Sequence, residues 1–150
     1  MKTLANLFKV SNYTALLGWV VLASLPLWPY GVEMVIMTIV LLLCVVYTYL
    51  IFFARKLDQG EPVRGSFWSL KGVMSLFKSP RVVLAGWVHY LAFDLMIGLF
   101  IAVDAARVDI NHWHLIPTLF LTLMFGPAGL LSYFILKFLM TGEALFTLNF

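Results

Sequence analysis

The chain has 150 residues, of which 63% are apolar and 11% are charged, and its formal net charge is +3. Soluble domains average nearer half apolar and a quarter charged, so this composition excludes a soluble enzyme and predicts an integral membrane protein. The basic residues form no patch interleaved with base-stacking aromatics, so we expect no nucleic-acid partner. The single cysteine, Cys44, cannot form an internal disulfide.

Four long apolar stretches follow one another along the chain, at about residues 10–28, 32–54, 82–103 and 115–139. Each is long enough to cross the roughly 30 Å hydrocarbon core of a bilayer as a helix. The sequence therefore predicts an all-α fold, with residues 1–150 forming a single four-transmembrane-helix bundle surrounded by membrane lipids. Apolar residues at helical spacing within residues 66–78 predict an additional amphipathic helix along the membrane interface.

The basic residues predict the orientation of the chain in the membrane, because cytoplasmic loops carry an excess of lysine and arginine. The connection between the second and third stretches contains six of them: Arg55, Lys56, Arg64, Lys71, Lys78 and Arg81. The first connection contains none and the third only Arg107. Lys2, Lys9 and Lys137 are expected on the same side as the basic connection, which places both termini in the cytoplasm.

Two ionisable residues, His89 and Asp94, lie within the third apolar stretch. Such groups inside a membrane cost a few kcal/mol or more, and they are functional candidates by default. The two positions are five residues apart, about 140° around a helix, so the side chains cannot pair directly on one regular helix. We predict them as catalytic residues, an acid and a base. Hydrogen bonding to neighbouring helices is the structural alternative.

Small and polar neighbours of Asp94 indicate room for a ligand or another helix. Tyr90 and Gly98 flank it at four residues on either side. In the fourth stretch, Gly126 and Pro127 lie at about the same depth, where the glycine permits close approach and the proline frees a backbone carbonyl. The alternatives are a helix kink with tight packing and a homo-oligomer contact through the small residues.

A metal site is the rival prediction near the outer membrane surface. His112 and His114, with Asp104, supply suitable ligand types there. Their spacing matches no established metal-binding motif, so we predict no metal. A haem bound by His89 lacks a second intramembrane histidine at matching depth. We therefore expect no cofactor.

These motifs resemble those of the abscisic-acid-deficient-four-like family of small membrane proteins, whose plant members are associated with neoxanthin synthesis. The similarity lies in Ser79–Leu95, in Asp104 with the following alanine, and in Leu121–Gly129. His-x4-Asp and Phe-Gly-Pro-x-Gly are its most specific elements. The bacterial branch is the most similar, which implies the bacterial inner membrane. The plant pattern carries an arginine after the aspartate, whereas Leu95–Phe100 has no charge.

The resemblance implies a cofactor-independent isomerisation of an oxygenated carotenoid or similar polyisoprenoid. Asp94 would protonate an epoxide oxygen, and His89 would remove a proton from the neighbouring carbon. Trp87 and Phe93, with Tyr90, would form an aromatic wall for the polyene, and Asp104 is carried over as a further site residue. The alternative is a membrane scaffold or assembly partner without catalytic activity.

Overall fold

The computed structural model describes residues 1–27, 32–58 and 65–143, and this part of the chain is helical without any strand. Five α-helices follow in chain order: α1 Lys2–Ala23, α2 Val32–Thr48, α3 Leu70–Leu76, α4 Pro80–Arg107 and α5 His112–Thr141. Shorter helical turns are the 3-10 turns Leu25–Leu27 and Ala54–Leu57 and the π-helical turn Tyr49–Phe53. The prediction of an all-α protein is confirmed.

Three described segments are long and apolar enough to cross a membrane: Glu33–Leu57, Pro80–Arg107 and His112–Thr141. They contain the predicted stretches 82–103 and 115–139 and all but the first residue of the stretch 32–54, so the prediction of a membrane protein is confirmed. The first predicted stretch begins within α1, and its last residue lies outside the described residues. The count of four spans, the side of the N-terminus and the interfacial position of α3 stay predictions.

The chain divides into two compact units. The first unit comprises Met1–Leu16 and Ile39–Ala92, and the second comprises Leu17–Thr38 and Phe93–Phe150. Helix α4 contributes its first half to the first unit and its second half to the second. The two ionisable residues predicted as a catalytic pair therefore belong to different units.

In the first unit, one cluster of polar groups binds the end of α2 to the beginning of α4. Ser79 precedes the first residue of α4, where its hydroxyl accepts a hydrogen bond from the Val82 amide at 3.3 Å. The same hydroxyl donates to Asp58 at 2.5 Å, and Arg81 Nε donates to the other carboxylate oxygen at 2.8 Å. Arg81 Nη1 also donates to the Leu50 carbonyl of the π-helical turn at 2.6 Å. The π-helical turn departs from the regular α-helical hydrogen-bond pattern, and Arg81 supplies a side-chain donor to one of its carbonyls.

In the second unit, α5 is not a straight rod. Phe125 has φ −148° and ψ 54°, which is outside the helical region. A Cβ atom on Gly129 would overlap the backbone of Thr122. Residues seven apart in a straight helix are separated by about 10 Å along the axis, so this approach requires a reversal of the chain. Residues 112–124 and 126–141 are therefore two antiparallel arms, which we call the α5 hairpin.

The second arm of the α5 hairpin runs parallel to α4. Asp94 contacts Gly126, and Asp104 binds Lys137. The two aspartates are ten positions apart and their partners eleven, which corresponds to about 15–17 Å of helix in both cases. Lys137 therefore lies near Arg107, the last residue of α4. The expectation that Lys137 lies with the basic connection, at the other end of α4, is wrong because the chain reverses at Phe125. The C-terminal residue lies outside the described residues.

Candidate functional site

Asp94 is buried beside the reversal of the α5 hairpin, with 8% of its surface exposed. A Cβ atom on Gly126 would overlap the Asp94 carboxylate, so only glycine leaves room for that group. Gly126 is the first residue of the second arm, and the N-terminal end of a helix stabilises a negative charge. The structure thus brings together Asp94 and the Phe-Gly-Pro segment.

His89 lies at the surface of the first unit. Its ring centre is 5.6 Å from that of Tyr47, with the planes inclined by 48°. Asp94, five residues further along α4, is buried in the second unit. The different environments of these two side chains follow from their angular separation on the helix.

Trp87 and Tyr90 belong to an aromatic cluster of the first unit. Their ring centres are 5.3 Å apart, and Trp87 is 6.0 Å from Phe8. The Trp87 indole also donates a hydrogen bond to Asn12 at 3.0 Å. A small cavity of about 240 Å³ adjoins this cluster, lined by Leu4, Phe8, Pro80, Val83, Leu84 and Trp87. It is apolar and contains none of the predicted acid–base residues.

The remaining residues predicted around Asp94 do not converge on one site. Gly98 provides close packing, since a Cβ atom there would lie 2.8 Å from the side chains of Trp19 and Leu22. Phe93 is 56% exposed, and Pro127 also lies at the surface. Gly98 therefore has a packing role, whereas Phe93 and Pro127 face the surroundings of the protein.

Asp104 forms a buried cluster with two residues of the second hairpin arm, Tyr133 and Lys137. The Tyr133 hydroxyl donates to Asp104 at 2.5 Å, and Lys137 Nζ donates to the same oxygen at 2.9 Å. Tyr133 and Lys137 are 0% and 1% exposed. We call these three residues the Asp104 cluster. Sequence reasoning missed the two partners, although a lysine within one apolar stretch and an aspartate directly after another are a signal for such pairing.

The Asp104 cluster also bears on the metal prediction. Because Lys137 and Tyr133 both bind its carboxylate, Asp104 is engaged in a structural contact rather than directed toward His112 or His114. Within residues 1–27, 32–58 and 65–143, no group of three or more metal-ligating side chains could hold an ion. The histidines near the start of α5 thus gather no ligand set in the described part of the chain.

A cavity with a volume of about 580 Å³ belongs to the second unit. We call it the second-unit cavity. Most of its lining is apolar, and three polar side chains join that lining: Glu33, Arg107 and His112. The full lining is Leu25, Pro26, Glu33, Leu99, Ala102, Val103, Ala106, Arg107, Ile110, His112 and Leu115. Such a combination of apolar walls with a few polar groups is typical of small-molecule sites.

The three polar groups of the second-unit cavity all come from helix ends. Glu33 is in the first turn of α2 and Arg107 is the last residue of α4, positions that stabilise a negative and a positive charge respectively. His112 begins α5, and its Nε2 atom lies 3.3 Å from the Ala23 carbonyl. Sequence reasoning assigned no ligand role to Arg107, because one arginine in a short connection has no distinguishing pattern.

A sequence profile of the ABA DEFICIENT 4-like family matches residues 6–133. The chain belongs to this family. A member from Arabidopsis thaliana, Protein ABA DEFICIENT 4, chloroplastic, is 24% identical over 106 residues. That alignment covers 69% of this chain and 47% of the plant protein, so the chain spans about half the length of this curated relative. No solved structure matches the chain. The resemblance found in the sequence motifs is confirmed at the level of the family.

Proposed function

We propose that this family member binds a carotenoid or related polyisoprenoid in the second-unit cavity. The observation that carries the proposal is the cavity itself, which has about 580 Å³ and apolar walls in a membrane protein. Pockets of about 300–1,000 Å³ are typical for small organic ligands. Membership of the ABA DEFICIENT 4-like family favours a carotenoid-related ligand among the lipophilic candidates.

Acid–base isomerisation is the reaction that we propose for such a ligand, with Asp94 as the acid and His89 as the base. It is supported by the family resemblance, since both residues lie in the shared segment. The lining of the second-unit cavity does not include either residue. Ligand binding is consequently supported by geometry, whereas the reaction is supported by the resemblance.

A non-catalytic scaffold is the second candidate, and one specific observation favours it. The Asp94 carboxylate fills the space that Gly126 leaves open, at the beginning of the second hairpin arm. A carboxylate in that place stabilises a helix end without any substrate. In this candidate function, Asp94 maintains the α5 hairpin, and the hairpin surface contacts another protein.

Ligand binding is tested by purifying the protein gently from a carotenoid-producing host. A visible polyene spectrum with a matching mass in the lipid extract is the expected result. Ala106→Trp places a large side chain in the cavity lining and should reduce the bound polyene. Ala5→Trp, in the first unit, is the matched control and should not. Bulk phospholipid alone would overturn ligand binding, and an undiminished polyene in Ala106→Trp would exclude this cavity as its site.

The reaction is distinguished from the scaffold by Asp94→Asn and His89→Ala, assayed with an epoxidised carotenoid in detergent. For an enzyme, both variants should retain the wild-type unfolding temperature and the bound ligand while product formation is lost. A lower unfolding temperature for Asp94→Asn, with no turnover by the wild type, would support the scaffold. Turnover retained by both variants would exclude the catalytic assignment.

A further inference from the structure

We infer that the second-unit cavity recognises a neutral, hydroxyl-bearing end of a polyisoprenoid through Glu33, Arg107 and His112. This inference depends on the proposed ligand binding and specifies which chemical class of ligand the cavity accepts. It is carried by the position of the three polar side chains, by their opposite charges, and by the hydrogen bond of His112.

The position of the three side chains gives the cavity one polar end. Glu33, Arg107 and His112 occupy the ends of α2, α4 and α5, whereas Leu99 lines the cavity from the body of α4. Eight residues separate Leu99 from Arg107, which corresponds to about 12 Å of helix. The ends of membrane-spanning helices lie near the polar headgroups and their middles lie in hydrocarbon. The cavity therefore matches a ligand with a polar end and an apolar chain.

The polar end carries one negative and one positive charge. Glu33 and Arg107 form no ion pair with another residue of the described part of the chain, where the ion pairs are Arg81–Asp58 and Lys137–Asp104. Each charge is stabilised by the helix end on which it lies. With one negative and one positive group, the cavity offers no net charge to compensate an anionic ligand. A diphosphate or phosphate group would lose hydration without an adequate counter-charge, which is unfavourable.

The hydrogen-bonding groups of the polar end match a hydroxyl. Because a carbonyl only accepts, His112 Nε2 must donate to Ala23, and in the neutral ring Nδ1 is then an acceptor. Arg107 supplies donors, and Glu33 supplies a second acceptor. A ligand hydroxyl can accept from Arg107 and donate to Glu33 or His112. A pure hydrocarbon makes none of these hydrogen bonds, so the cavity should bind the hydroxyl-bearing ligand more tightly.

Three probes of equal carbon number test this inference: geranylgeraniol, geranylgeranyl diphosphate and the hydrocarbon phytene. Binding to the full chain in detergent is measured for each by quantitative co-purification and mass spectrometry. We expect the alcohol to bind about tenfold more tightly than the hydrocarbon, the difference that one hydrogen bond to a charged group provides. The diphosphate should also bind more weakly than the alcohol.

Two charge-removing variants assign the preference to the cavity. Arg107→Gln should abolish the advantage of the alcohol over the hydrocarbon, and Glu33→Gln should increase diphosphate binding about tenfold. Arg55→Gln and Glu143→Gln remove one positive and one negative charge outside the cavity lining. They should change neither the preference for the alcohol over the hydrocarbon nor the binding of the diphosphate.

Each other outcome contradicts a defined part of the argument. Equal binding of alcohol and hydrocarbon would overturn the inference while leaving polyisoprenoid binding intact. Preference of the wild type for the diphosphate would overturn the neutral end group. Binding of none of the three probes, with no polyene in the purified protein, would overturn the proposed function and this inference with it.

Discussion

Each of the two units contains an aspartate that binds one cation and one hydroxyl group. The sets are Asp58–Arg81–Ser79 in the first unit and Asp104–Lys137–Tyr133 in the second. The distances from cation nitrogen to carboxylate oxygen are 2.8 Å and 2.9 Å, and both hydroxyl distances are 2.5 Å. The same three kinds of group therefore occur twice at similar distances, although Ser79 and Arg81 bind different oxygens of Asp58, whereas Tyr133 and Lys137 share one oxygen of Asp104.

The two clusters differ in their access to the surroundings. The side chains of Arg81 and Asp58 are 11% and 25% exposed, whereas those of Lys137 and Asp104 are 2% and 11% exposed. Water competes for partly exposed charges, so such pairs contribute little to stability. In a buried pair, removing one partner leaves a charge that cannot be solvated. Two clusters of the same kinds of group should thus differ in their sensitivity to mutation.

The largest expected effect is that of Lys137→Met. The substitution leaves the Asp104 carboxylate buried without its cation, which should lower the free energy of unfolding by about 3–5 kcal/mol. Thermal unfolding in detergent, followed by circular dichroism, measures the change. The double variant Asp104→Asn with Lys137→Met removes both charges and keeps an acceptor for Tyr133, so it should recover most of the loss.

The matched control for Lys137→Met is Lys78→Met, which removes an exposed lysine at the end of the basic connection. Its effect should be within about 0.5 kcal/mol of zero, as is usual for surface positions. If Lys137→Met and Lys78→Met were equally stable, the buried pair would contribute no more to the free energy of unfolding than an exposed lysine does.

The next effect in size concerns the contact at the hairpin reversal. Gly126→Ala introduces a Cβ atom that overlaps the Asp94 carboxylate, so we expect a loss of about 1–3 kcal/mol from overpacking. Adding Asp94→Ala removes the overlapping group and should restore part of the stability. The coupling energy of the double-mutant cycle is the measurement. Additive effects would contradict a direct contact between Asp94 and residue 126.

Arg81→Lys should have a smaller effect, because lysine preserves the charge but not the set of planar donors. It can still bind Asp58, whereas the hydrogen bond to the Leu50 carbonyl is lost, and we expect a cost of about 1 kcal/mol. Arg55→Lys is the control on an exposed arginine of the neighbouring turn. A loss as large as that of Lys137→Met would contradict the unequal sensitivity of the two clusters.

The smallest effect is a pH dependence from Asp58. Burial raises the pKa of this carboxyl, but the hydrogen bonds from Ser79 and Arg81 and the charge of Arg81 outweigh it and hold the pKa below 3.8. The ionised group therefore contributes stability above about pH 4, and that contribution is lost as the pH falls through the lowered pKa. Unfolding temperatures should show this step below about pH 4. Asp58→Asn should remove the step, and an unchanged step would exclude Asp58 as its origin.

The parts of the fold that the sequence predicted are those with a local cause. Composition alone identifies the apolar helices. Helix α4 begins at Pro80, two residues before the predicted stretch, and the capping hydroxyl of Ser79 with the fixed φ of proline explains this start. The His-x4-Asp and Phe-Gly-Pro-x-Gly segments identified the family, since their residue types and spacing are specific.

The reversal of α5 could not be predicted in the same way. Glycine and proline at residues 126 and 127 are compatible with a mild kink as well as with a full reversal. Two contacts distinguish the reversal from a kink: the approach of Gly129 to Thr122 and the contact of Asp94 with Gly126. Both contacts depend on packing in the folded protein. The position of Lys137 was mispredicted for this reason, since counting basic residues treats a buried lysine like an exposed one.

The second-unit cavity also has no local signal in the sequence. Its lining residues come from the ends and bodies of several separated helices, and most are the leucine, alanine and valine residues of any apolar helix. Glu33 and Arg107 are each consistent with an ordinary favourable charge at a helix end. Only their placement around one cavity distinguishes them from other surface charges.

The α5 hairpin has a consequence for biosynthesis. Because the chain reverses at Phe125, the beginning and the end of α5 lie near the same end of α4. Such a segment can enter the bilayer as a folded loop from one face, with Asn111 and Glu143 on the same side of the hydrocarbon. A fluorescent protein placed directly after Glu143 should therefore report the compartment of Asn111, and with it the face of the membrane that the α4–α5 connection occupies.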